Sequence, residues 1–64
     1  MIKVVFLRDK RSAEIEAENV SQVFSKLSIL REQYVVIKNG RIICEDEPLS
    51  DGDTIELFTV ASGG

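Results

Sequence analysis

At 64 residues, 44% of them apolar, the chain is long enough for one domain with one core layer. It is too short to hold a core, a cofactor-enclosing cavity and a catalytic cleft together, which argues against an independent enzyme. A net charge of -3 with no basic stripe argues against nucleic acid, and one cysteine without any histidine leaves neither an intrachain disulfide nor a plausible metal site. No apolar run approaches a membrane span and no leader pattern opens the chain, so a cytoplasmic location is expected.

Met1 to Leu7 is nearly all apolar and rich in β-branched residues, which predicts a strand. Ile2, Val4 and Phe6 share one face; Lys3, Val5 and Leu7 share the other, marked as outer by the lysine. After the polar turn Arg8-Asp9-Lys10-Arg11, Ser12 to Glu18 alternates between Ala13, Ile15, Ala17 and Glu14, Glu16, Glu18. That pattern predicts an edge strand with one wet face, paired with the first strand as a hairpin.

Asn19 has the chemistry of a helix N-cap, and Gln22 completes a capping-box spacing. Val20, Val23, Phe24, Leu27 and Leu30 then follow helical spacing, so the helix lies across a sheet with Phe24 and Leu27 as core residues. Gln33 to Lys38 reads as a third strand, Asn39-Gly40 as a tight hairpin, and Arg41 to Cys44 as the returning strand. Cys44 is expected as a small, partly buried strand residue without a base to activate it. Glu45-Asp46-Glu47 reads as solvated loop, Leu49 as a residue tucked under the sheet, and Gly52 as the positive-φ residue of a turn.

Thr54 to Val60 is the last strand. Glu56 marks its own face as outward, which puts Phe58 and Val60 on that face too, beside Val5 and Leu7 if the first and last strands pair. An exposed apolar patch of this kind commonly marks a partner site; the alternative is that the helix or a loop covers it. Ala61, Ser62, Gly63 and Gly64 then form a slim, small-residue tail. With no Cβ at Gly63 and Gly64 it could enter a narrow tunnel and deliver its carboxylate to the α-phosphate of ATP. A frayed chain end is the plain alternative.

Residues 1–60 are thus expected to form one domain and 61–64 a flexible tail. The order strand, strand, helix, strand, strand, strand, with apolar first and last strands best buried side by side in parallel, predicts an α+β class: a β-grasp (ubiquitin-like) fold with a mixed sheet of about five strands and one helix across it. Here a resemblance becomes specific. Asp51-Gly52-Asp53-x-Ile55-x-Leu57-Phe58-x-Val60-Ala61-x-Gly63-Gly64 looks like the C-terminal signature of the ThiS/MoaD sulfur-carrier family, and the opening strand, the Asn19-Val20 helix start and the Asn39-Gly40 hairpin are similar to that family in outline.

The resemblance implies a carrier rather than an enzyme. Gly64 would be adenylated by an E1-like partner that uses ATP, with no cofactor bound by the chain itself, and converted to a thiocarboxylate. Gly63 would line the partner's tunnel, and Phe58 and Val60 would sit on the docking face. Its partners would be the adenylating enzyme, a sulfur donor and a sulfur-accepting synthase, either thiazole synthase in thiamine biosynthesis or the large subunit of molybdopterin synthase. Alternatives are a carrier for tRNA thiolation, a ubiquitin-like modifier conjugated to target lysines, and a non-covalent β-grasp module with an incidental tail.

Overall fold

Five strands and one helix follow one another in the expected order; the structure, a computed structural model, describes residues 1–60. The strands are β1 (Ile2–Phe6), β2 (Arg11–Ile15), β3 (Tyr34–Lys38), β4 (Arg41–Ile43) and β5 (Thr54–Thr59), and the helix α1 (Val20–Leu27) lies between β2 and β3. They form a single mixed sheet in the order β2-β1-β5-β3-β4. β1 and β5 pair in parallel, Val4 opposite Ile55 and Phe6 opposite Leu57, while the remaining pairings are antiparallel. The β-grasp arrangement is therefore present, with the two most apolar strands at the centre.

One face of the sheet meets α1. Ile2, Val4 and Phe6 from β1, Ile55 and Leu57 from β5, and Val36 from β3 are buried against Val20, Val23 and Phe24 of the helix. Leu49 reaches the same core from the β4–β5 connection. Its backbone N–H donates to Glu18 O at 2.9 Å, and Val20 N–H to Glu47 O at 3.2 Å, so this connection is tied to the helix entry. At one end of the core Tyr34 sits edge-on to Phe6, ring centroids 6.1 Å apart, and Arg11 covers the Phe6 ring at 5.4 Å.

Local chemistry sets the helix ends. Gln22 N–H donates to Asn19 Oδ1 at 2.8 Å, as an N-cap requires. The Gln22 side chain reaches back one residue further than a capping box would, its Oε1 accepting from Glu18 N–H at 2.8 Å. The helix stops after Leu27, shorter than its apolar spacing predicts. Ser28 takes a left-handed φ of 57°, and Ile29 N–H closes onto Phe24 O at 3.1 Å. Leu30 therefore leaves the stripe and is exposed.

Two further expectations are corrected. β2 ends at Ile15 instead of Glu18, because the backbone after it turns to enter the helix. Ala17 still packs against the core. Cys44 lies outside β4 and is exposed, because the chain turns there: Glu47 N–H donates to Cys44 O at 3.1 Å. Asn39 and Gly40 both take positive φ, 54° and 77°, as the hairpin between β3 and β4 demands.

Candidate functional site

The face of the sheet away from α1 is not covered by any helix or loop among the described residues. Alternation assigns its members. On β5, Ile55 and Leu57 point into the core, so Glu56 and Phe58 point out, with Val60 following on the same side. On β1 the core takes Ile2, Val4 and Phe6, which leaves Lys3, Val5 and, just past the strand end, Leu7 outward. Phe58 is 51% exposed, Val60 45% and Leu7 38%, while Val5 is half-buried between its neighbours. The parallel register sets Val5 against Glu56, and Leu7 N–H donates to Leu57 O at 3.1 Å, so the four apolar residues lie on two adjoining strands of one face.

Three residues that the sequence reading did not assign join this face. Val35 lies opposite Phe58 and Ile37 opposite Glu56 across the β3–β5 pairing; Ile42 of β4 lies opposite Ile37 and is 76% exposed. None of the three belongs to the core that surrounds α1. The strand read from Gln33 to Lys38 carries one polar residue on each face, Gln33 with Val35 and Ile37 and Lys38 with Tyr34 and Val36, so periodicity could not separate them. The signal that could have done so is the pairing partner: antiparallel pairing with Thr54 to Val60 carries the Glu56 and Phe58 side across to Val35 and Ile37.

Ala61, Ser62, Gly63 and Gly64 lie outside the described residues, as does the expectation of a flexible arm ending in a reactive carboxylate. What the structure describes is the exit: Val60 leaves the sheet with its N–H donating to Gln33 O at 3.0 Å, adjacent to the apolar face.

The acidic residues do not form a catalytic cluster. Glu45 pairs with Arg31, and Asp51 pairs with the Met1 amine. Lys38 Nζ stands 3.5 Å from Asp53 Oδ2 and 3.9 Å from Glu47 Oε2. These pairs tie the β4–β5 connection to the body. Ser50 N–H donates to Asp53 Oδ2 at 2.9 Å; that bond, aided by the nearby Lys38 charge, holds the Asp53 carboxyl below its ordinary value. Among the described residues no group of three metal-ligating side chains comes together, and no helix is long and apolar enough to cross a membrane.

Among the described residues the geometry is that of an exposed apolar surface. It can be covered by another macromolecule, and it includes Val60, the last described residue. Compared with known families, residues 4–64 match the model of the ThiS family.

Proposed function

The chain belongs to the ThiS family of small sulfur-carrier proteins, and from that membership we propose the chemistry it undergoes: Gly64 is activated by an E1-like adenylating enzyme and becomes a thiocarboxylate that donates sulfur to thiazole formation in thiamine biosynthesis. The family match reaching through residue 64 is the observation that carries this reading. The apolar face beside the chain exit supports it, because an activating enzyme must hold the domain while it works on the end of the chain.

The step balances as follows. A Gly64 carboxylate oxygen attacks the α-phosphate of ATP, forming an acyl-adenylate as pyrophosphate leaves. A sulfide equivalent from the sulfur donor then attacks the acyl carbon, AMP leaves with the shared oxygen, and sulfur replaces one terminal oxygen. The work of this chain is positional. Phe58, Val60, Leu7 and Val5 give the partner an apolar grip. From Val60, four residues of chain reach at most about 14 Å, enough to thread a tunnel while the folded body stays outside. Ala61, Ser62, Gly63 and Gly64 are the smallest side chains available, so that thread is narrow.

Intact-mass spectrometry tests the reading. The native chain, incubated with the E1-like enzyme of the same organism, ATP and a sulfur donor, is expected to gain the mass difference of sulfur for oxygen. A variant with one alanine added after Gly64 is expected not to gain it. Unchanged native mass, or equal conversion of the extended variant, refutes the proposal. Transfer of the sulfur to thiazole synthase, and not to molybdopterin synthase, tests the pathway.

A further inference from the structure

Glu56 is anomalous on the face that surrounds it. By register it lies between Val5 on β1 and Ile37 on β3, and along β5 its outward neighbours are Thr54 and Phe58. It is half-buried there, and it takes part in none of the five ion pairs among the described residues. Lys3, the cation nearest by register on this face, lies opposite Thr54 on one side and Glu14 on the other, and it makes no ion pair with Glu56.

Any partner that covers Val5, Ile37 and Phe58 must also cover this carboxylate and take it out of water. A charge buried without a counter-charge is strongly unfavourable, so a purely apolar partner surface is a poor fit. The same charge disfavours a second copy of this chain, because a two-fold contact across the face brings two Glu56 carboxylates toward each other.

We propose that the protein docking on this face presents a cationic side chain, an arginine by geometry, set inside an apolar ring and directed at Glu56. A guanidinium is planar, sheds its water more readily than an ammonium group and can meet a carboxylate with two parallel N–H donors. Glu56 then selects the partner: surfaces lacking the cation leave it stranded, and surfaces carrying an acid there are repelled. The inference rests on the carrier reading, since it takes the E1-like adenylating enzyme as the occupant of the face.

Calorimetric titration of the native chain, Glu56→Leu and Glu56→Gln into that enzyme tests it, with ATP–pyrophosphate exchange measured alongside. Glu56→Leu enlarges the apolar face, so a partner without the cation would bind it as well or better. The proposal expects the opposite, a weakening of about 30-fold, as when one member of a covered charge pair is removed. Weakening of less than about tenfold overturns it. The isosteric Glu56→Gln decides by the same criterion if the leucine variant does not fold. Overturned in this way, the inference falls alone while exchange with the native chain continues; absence of exchange with the native chain overturns the carrier reading and the inference with it.

Discussion

Phe58 and Leu57 are adjacent in sequence and face opposite ways, and truncating each should produce opposite results. Leu57 is 1% exposed at the centre of the core, whereas Phe58 is 51% exposed on the outer face. A phenylalanine offers on the order of 200 Å² for burial, so about 100 Å² of Phe58 remains for a partner to cover. At about 25 cal/mol per Å², covering it is worth roughly 2.5 kcal/mol. Allowing for what alanine retains, Phe58→Ala should weaken docking by about 1.5–2.5 kcal/mol, or roughly 10- to 60-fold in Kd. The half of the side chain already covered contributes to folding, so by the same reckoning the change should cost about 1.5–2.5 kcal/mol of stability. Leu57→Ala should cost about 2–5 kcal/mol of stability instead, through the cavity it leaves. Calorimetric titration with the E1-like enzyme measures the first quantity, and urea unfolding followed by circular dichroism measures the second. The reasoning is refuted if Phe58→Ala binds within about twofold of the native chain, or if it destabilises the domain as severely as Leu57→Ala.

Two smaller perturbations probe the scaffold. Asn19→Ala removes the acceptor for Gln22 N–H at the start of a helix only eight residues long, and should cost about 1 kcal/mol, a fall of about 4–8 °C in Tm for a domain of this size; a thermal melt that does not move refutes the capping role. Asp53→Asn tests the bond from Ser50 N–H and the Lys38 contact. Because the folded carboxyl titrates below its unfolded value of about 3.9, its stabilisation is present above that pH and is lost as pH falls through the lower folded value. The difference in urea midpoint between native and variant should therefore be present near neutrality and shrink in acid; a difference that stays constant refutes it.

Much of the site was legible because its residues announce their environment locally. Glu56, alternating with Ile55 and Leu57, marks the outer face of β5, and Lys3 does the same for β1. Asn19 with Gln22, and Asn39 with Gly40, announce a helix start and a hairpin through side-chain and backbone preferences that act within a few residues. The apolar character of both terminal strands also implied their parallel pairing, since a strand apolar on both faces is best placed at the centre of a sheet.

Other features needed distant parts of the chain to meet. Nothing in Leu27-Ser28-Ile29-Leu30 forbids another helical turn; the helix ends because Ser28 turns left-handed and Ile29 packs against the core, freeing Leu30. Cys44 looks like a strand residue in an apolar context, yet the turn that carries Leu49 into the core takes it out of the sheet. Val35 and Ile37 were placed on the outer face by pairing with β5, and Ile42 by pairing with Ile37 across β3 and β4, because a strand with apolar residues on both faces has no inside until its neighbour supplies one. The sequence by itself determined the elements, the helix N-cap, the Asn39-Gly40 hairpin and the side of β5 on which Phe58 lies, all consequences of periodicity and short-range hydrogen bonding. Only the tertiary structure decided how wide the exposed apolar face is and that Glu56 sits between Val5 and Ile37 without an ion-pair partner among the described residues, because both depend on which strands become neighbours across long stretches of chain.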